Sequence, residues 1–67
     1  MITVKQILKR VNDTRLNLYK GDGYWYFAFD DGVMFETHSE YTMRLNDYGI
    51  DRWVEIGKNF IAKMEQK

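Results

Sequence analysis

The chain lacks the covalent and metal cross-links that often stabilise small proteins. Its 67 residues include no cysteine and one histidine, so it forms no disulfide, and a lone histidine cannot build a zinc site. A chain of this length buries only about 60% of the surface that its unfolded form exposes. We therefore expect one compact domain over residues 1–67 that is stabilised by packing, without cofactor or metal, and with oligomerisation as the other source of burial.

Net charge is also absent, because ten lysine and arginine residues balance ten aspartate and glutamate residues. A dedicated nucleic-acid-binding domain usually carries a basic excess, which attracts the phosphate backbone. The balance therefore argues against nucleic acid as the main partner.

Long apolar runs are missing as well. The N-terminal stretch MITVKQILKR is too short and too polar for a signal peptide or a membrane-spanning helix. We expect no membrane partner and a cytoplasmic location, and the lack of cysteine fits a reducing compartment.

Aromatic residues, by contrast, are abundant: two tryptophans, five tyrosines and four phenylalanines. Each buried aromatic side chain removes roughly 150–250 Å² from water. Six aromatic or apolar residues run in a row over positions 24–29 (YWYFAF), between two glycine–aspartate segments. This run is either the core of the domain or a binding surface.

Helices are indicated at both ends of the chain. Thr3 and Gln6 have the spacing of a capping box, and an apolar stripe follows over residues 4–11. A second helix is predicted from near Gly49–Asp51 to about Met64. Gly57 lies on its apolar face between Trp53 and Phe60, where a glycine lets the helix approach the sheet or accommodates a large aromatic side chain. The stripe of this helix comprises Trp53, Ile56, Gly57, Phe60, Ile61 and Met64.

The segment between the helices has the period of two that is typical of strands. Strands are predicted over residues 15–20, 24–30 and 33–38, joined by hairpins at GDG (21–23) and DG (31–32). The stretch EYTMRL (40–45) predicts a fourth strand. The fold class is therefore α+β: an antiparallel sheet of three to four strands with an N-terminal and a C-terminal helix packed on one face (α-β-β-β-(β)-α).

Alternation divides the strands between two faces. The core face is predicted to contain Leu16, Leu18, Trp25, Phe27, Phe29, Phe35, Tyr41, Met43 and Leu45. The other face is left open if both helices cover the same side. It is predicted to present Tyr19, Tyr24, Tyr26, Ala28, Met34, Glu36, His38 and Arg44.

The open face has three interpretations. Paired tyrosines on a sheet surface can simply shield a thin sheet. They can instead form a protein interface, since tyrosine and arginine are enriched at binding hot spots. The third interpretation is RNA or single-stranded nucleic acid stacking on Tyr19, Tyr24 and Tyr26, although Asp22 and Gly23 interrupt the spacing of the RRM aromatic motif. We rank protein binding first and nucleic acid second, and a homodimer contact remains a further alternative.

No catalytic site is predicted. His38, Ser39 and Glu40 are sequence neighbours, so their side chains diverge, whereas the members of a catalytic triad converge. Asp30 and Asp31 fit a hairpin turn better than a divalent cation. We expect a protein that is not an enzyme. Its candidate binding residues are Tyr19, Tyr24, Tyr26, Arg44, His38 and, at the acidic hairpin tips, Asp22 and Asp31.

Residues 20–60 resemble a family of small, mostly uncharacterised proteins of bacterial phages, prophages and mobile elements. The resemblance lies in KGDGYWYF (20–27), RLND (44–47) and Trp53-Val54-Glu55. The family pattern has a hydrophobic residue where Glu40 stands. The resemblance implies no agreed activity. It does imply a phage or prophage context in the host cytoplasm, where small non-enzymatic proteins often bind host or phage proteins and inhibit host machinery, including defence complexes.

Overall fold

The chain folds as a helix, a three-stranded sheet and a second helix. The computed structural model describes all residues from 1 to 67. Its elements are α1 (Val4–Val11), β1 (Leu16–Lys20), β2 (Trp25–Asp30), β3 (Phe35–Glu40), a 3-10 turn (Leu45–Asp47) and α2 (Ile50–Glu65). All strand pairs are antiparallel, in the order β1-β2-β3. The predicted α+β class is confirmed, with three strands.

The first helix begins and ends at the predicted residues. The Gln6 N–H donates to Thr3 Oγ1 at 3.2 Å, and Gln6 Oε1 accepts from the Thr3 N–H at 3.1 Å. The helix stops at Asn12, which adopts a left-handed conformation (φ 59°) and donates its N–H to the Leu8 carbonyl. Asparagine tolerates this conformation better than most residues.

The core lies between the two helices and one face of the sheet. Phe27 and Trp53 are fully buried and pack edge to face, with ring centroids 6.1 Å apart. Phe29 and Phe60 pack in the same way at 6.5 Å. The core cluster contains Ile7, Val11, Leu16, Leu18, Phe27, Phe29, Trp53, Phe60, Ile61 and Met64.

Gly57 allows α2 to approach the rest of the core closely, as its position on the apolar stripe predicts. A methyl group at this residue would lie 3.2 Å from Leu16 and Val11 side-chain atoms and 3.3 Å from the Phe27 ring. These distances are tighter than ordinary carbon–carbon contacts. The absence of a side chain therefore sets the distance between α2 and its neighbours.

The fourth strand predicted over residues 40–45 is wrong. Glu40 instead ends β3, and residues 41–44 run as an irregular loop into the 3-10 turn at Leu45. Both indole N–H groups bind its carbonyls: Trp53 Nε1 donates to Leu45 O at 2.7 Å, and Trp25 Nε1 donates to Met43 O at 3.3 Å. Tryptophan usually satisfies its N–H when it is buried, and here the loop supplies the acceptors.

The three side chains that this strand was expected to place in the core therefore lie outside it or at its edge. Tyr41 and Met43 are 83% and 71% exposed. Leu45 is half-buried and packs against the edge of the core.

The predicted facing of β3 is also wrong. Asp30 pairs with Phe35, Phe29 with Glu36, and Phe27 with His38. Paired residues share a face, so Phe35 lies on the open face and is 65% exposed.

The turn before β3 explains this register. The Asp31 carboxylate accepts the N–H groups of Val33 and Met34 at 2.9 and 2.7 Å. This side-chain turn closes the hairpin so that Phe35 faces Asp30, and a shift by one residue reverses every side chain of a strand. Met34, predicted on the open face, is half-buried against the core, as is Trp25.

These positions predict opposite outcomes for two phenylalanines that lie only eight residues apart. Phe27→Ala removes a fully buried ring and should lower the free energy of unfolding by about 3–5 kcal/mol. Phe35→Ala removes an exposed ring and should change it by about 0.5 kcal/mol or less. Urea denaturation of both variants measures the difference. Equal losses would contradict the register of β3.

Candidate binding surface on the open sheet face

The sheet face opposite the helices is built from every second strand residue. The register places Asn17, Tyr19, Tyr26, Ala28, Asp30, Phe35, Thr37 and Ser39 on it. None of these residues is lysine or arginine, and the only charged one is Asp30. Its carboxylate accepts the Gly32 N–H at 2.9 Å. The open face is therefore aromatic and carries a single acid, without strand cations to bind phosphate.

Four tyrosines form a continuous row on this side of the sheet, which we call the tyrosine cluster: Tyr19, Tyr26, Tyr24 and Tyr41. The ring centroids of Tyr19 and Tyr26 are 5.6 Å apart. Tyr24 lies 5.9 Å from Tyr26 on one side and 5.9 Å from Tyr41 on the other. All three pairs are tilted, within the distance range of favourable aromatic packing.

Each tyrosine of the cluster is held by a different element. Tyr19 and Tyr26 are direct cross-strand partners on β1 and β2. Tyr24 belongs to the first hairpin and Tyr41 to the loop after β3. Tyr19 and Tyr41 are exposed, whereas Tyr24 and Tyr26 are half-buried by their neighbours. The cluster is thus a packed aromatic surface whose two ends are the most accessible.

Gly21 positions the Tyr24 ring. Its N–H donates to the Tyr24 carbonyl at 2.8 Å, which closes the hairpin. The Tyr24 ring lies directly over the glycine: a methyl group at Gly21 would come within 2.3 Å of ring atom Cζ. Gly23 provides the positive φ of this turn (82°), so Gly21 is required for the close approach of the ring and not for its own backbone angle.

Two predicted binding residues lie away from the cluster. His38 faces the helix side, where its Nε2 contacts Glu40 Oε2 at 2.7 Å and its ring lies 5.7 Å from that of Phe60. The prediction that His38 shares the open face is wrong, for the reason given for Phe35. Arg44 is exposed on the loop before the 3-10 turn and belongs to no strand, so no strand brings it onto the tyrosine face.

Tyr41 is the member of the cluster that the sequence analysis assigned to the core. The prediction failed because the alternation of apolar and polar residues over 40–45 is typical of a strand. No local sequence feature indicates that the distant indole groups of Trp25 and Trp53 bind this segment. A signal did exist. Glu40 is a charged residue at the start of this segment, and its carboxylate accepts the Tyr48 hydroxyl at 2.9 Å. This bond raises the pKa of Tyr48.

The RLND segment fixes the loop that carries Tyr41. Asp47 Oδ2 accepts the Thr42 hydroxyl and the Arg44 N–H, and these bonds hold the pKa of Asp47 below its usual value. Asn46 Oδ1 accepts the Ile2 N–H at 3.2 Å, which ties the loop to the start of α1. These contacts give the motif a structural role.

The acidic hairpin tips are exposed, as their sequence positions predict. Asp22 lies at the first tip. At the second, the two backbone N–H donors of Met34 and Val33 hold the pKa of Asp31 below its usual value. Since these donors already bind its carboxylate, Asp31 shapes the turn, and Asp22 is the freer of the two acids.

The comparisons with known proteins give no relative: no protein-family model, no curated protein and no solved structure matches the chain. No three acidic, histidine or cysteine side chains are grouped so that they could hold a metal ion. None of the helices has the length and apolar character needed to cross a bilayer.

Gly21→Ala offers a way to disturb the cluster without deleting an aromatic ring. The added methyl group should displace Tyr24 and change the NMR ring shifts of Tyr26 and Tyr41. The free energy of unfolding should change by about 0.5 kcal/mol or less, because the site lies outside the core.

Gly49→Ala is the matched control, since a methyl group there meets no atom within 4 Å. It should leave the ring shifts of the tyrosine cluster unchanged. Unaltered shifts in Gly21→Ala would contradict the placement of the Tyr24 ring.

Proposed function

We propose that this chain is a small accessory protein that acts by binding another protein through the tyrosine cluster. The observation that supports the proposal is the continuous row of four tyrosines, with centroid separations of 5.6–5.9 Å, on a sheet face that no helix covers. Phe35 adds a further exposed ring to the same face.

The physics of interfaces favours such a surface. Tyrosine supplies a large apolar contact area and a hydroxyl group, and it loses little side-chain entropy because it has only two rotatable bonds. The packed row further limits the freedom of each ring before binding, which lowers the entropy cost of association. Hot spots of protein interfaces are enriched in this residue.

The resemblance of residues 20–60 to small phage and prophage proteins supplies a context for the proposal. The partner would be a host or phage protein, and inhibition of a host complex, such as a defence complex, is the outcome that this context favours by analogy. The proposed activity is binding alone, without catalysis.

Single-stranded nucleic acid is the competing ligand, since bases stack on rows of aromatic side chains. Such binding also requires a positively charged groove for the phosphates. The open face has no lysine or arginine at any strand position, and the chain is neutral. We therefore rank protein above nucleic acid as the partner.

The test is capture of a partner from nuclease-treated bacterial lysate, followed by affinity measurements with the purified partner. Tyr19→Ala, Tyr24→Ala, Tyr26→Ala and Tyr41→Ala are compared with the unchanged protein. At least one should weaken binding by about 1 kcal/mol or more, a fivefold or larger rise in Kd. Gly21→Ala should weaken it too, because it displaces Tyr24 while every tyrosine remains.

Lys9→Ala on the exposed side of α1 is the control and should bind normally. Full-strength capture by all four tyrosine variants, once shown to be folded, would refute the proposal. Sub-micromolar binding of single-stranded oligonucleotides with a steep salt dependence would reverse the ranking of protein and nucleic acid.

A further inference from the structure

The outer edge of β3 carries backbone groups without partners. The bonds Asp30 N–H to Arg15 O and Gly21 N–H to Tyr24 O fix which residues of β2 point towards β1. In an antiparallel ladder the alternate residues point the other way. The bond from Asp31 N–H to Met34 O, in the hairpin between β2 and β3, agrees with this alternation.

It follows that Glu36, His38 and Glu40 bond to β2. The alternate residues of β3 direct their N–H and C=O groups outward: Phe35, Thr37 and Ser39. No other backbone or side-chain group of the chain bonds to these outward groups.

The opposite edge of the sheet is closed only in part, because Leu18 and Lys20 of β1 also direct their backbone groups outward. On β1 the Leu16 N–H donates to the Asp13 carbonyl at 3.2 Å, and α1 packs beside the strand. The β3 edge has no such cover, and four consecutive residues of β3 are exposed. An edge of this kind is a template for a further strand.

On the helix side of the edge, a groove of about 340 Å³ separates β3 from α2. Glu36 and His38 line one wall, and Phe60, Lys63 and Met64 line the other. Glu36 and His38 therefore stay accessible on the helix side of the edge, with side chains 53% and 45% exposed.

We infer that the β3 edge binds a second copy of this chain, with the two β3 strands antiparallel and centred on Thr37. In this register Thr37 faces Thr37 of the partner subunit, and Phe35 faces Ser39 of the partner subunit. Every outward backbone group then gains a partner. The two sheets join into one of six strands, and both groups of helices lie on the same side.

Charge selects this register over its neighbours. Centred on Thr37, each Glu36 lies opposite the partner subunit's His38 on the helix side. If the strand pair were centred on residue 36, the Glu36 side chains of the two subunits would lie opposite each other. If it were centred on residue 38, each Glu36 would lie opposite the partner subunit's Glu40. Like charges directly opposite each other destabilise a strand pair, whereas threonine pairs stabilise it. The register centred on Thr37 avoids both carboxylate pairs and gains the threonine pair.

The same register extends the open aromatic face. Tyr26 pairs with Ser39, and Phe35 of the partner subunit would lie on the other side of Ser39. The exposed Phe35 rings would thereby line the centre of a joint surface with a tyrosine cluster at each side. The inference concerns a different edge from the one that carries Tyr19, so it stands independently of the proposed function.

Sedimentation equilibrium from about 1 µM to about 1 mM covers the range expected for a small interface. The mass should rise from 8.1 kDa to about twice that value. Thr37→Pro removes an outward N–H and leaves the ladder to β2 intact, and proline is tolerated at such edge positions. It should raise the dissociation constant at least tenfold, while Thr37→Ala, which keeps the N–H, should raise it far less.

A charge exchange tests the register without a change in the backbone. His38→Glu places a second carboxylate opposite Glu36 and should weaken the dimer about threefold to tenfold. Adding Glu36→Lys to the same chain places opposite charges at these two positions and should recover the dimer. Circular dichroism confirms that each variant is folded.

Two results would overturn the inference. One is a mass of 8.1 kDa throughout the concentration range, which would leave the edge open to an extended segment of another protein. The other is a dimer that is unaffected by Thr37→Pro and by the charge exchange, since it would use a different surface.

Discussion

The arrangement of this domain depends on the burial of Phe27 and Phe29 on the central strand. With no cysteine to form a disulfide, packing is the main source of stability in so small a chain. Phe27 packs against Trp53, and Phe29 packs against Phe60. Once they face the helices, alternation turns Tyr26 and Ala28 outward. The candidate binding surface is thus the opposite face of the strand that forms the core, so a shift of one would displace the other.

The second constraint is the pair of indole N–H groups. Trp25 and Trp53 both donate to carbonyls of the segment after β3, so the aromatic core adds to the side-chain bonds that fix this segment. That loop brings Tyr41 against Tyr24. It also prevents a fourth strand from pairing with β3, and the outer edge of the sheet is left exposed as a result. Core packing therefore determines both candidate interfaces, the tyrosine cluster and the β3 edge.

Sequence reasoning found the features that are set locally and missed those set by distant contacts. The capping box at Thr3, the burial of Phe27 and the outward position of Tyr26 follow from spacing alone. The register of β3 depends on how the Asp31 carboxylate folds the hairpin, and that side-chain turn inverted the predicted faces of Phe35 and His38. The apolar character of a residue does not predict its sheet face at such a position, because a register shift of one residue moves every side chain of the strand to the opposite face.

Both candidate surfaces depend on the pairing of β2 with β3, which places the tyrosines outward and leaves Thr37 at the free edge. Nuclear Overhauser spectroscopy tests this pairing directly. Residues in non-hydrogen-bonded pairs have Cα atoms only about 4.5 Å apart, so strong Hα–Hα contacts are predicted between Ala28 and Thr37 and between Tyr26 and Ser39. Contacts from Ala28 to Glu36 or His38 instead would show a sheet shifted by one residue, with Phe35 in the core, and would contradict the account.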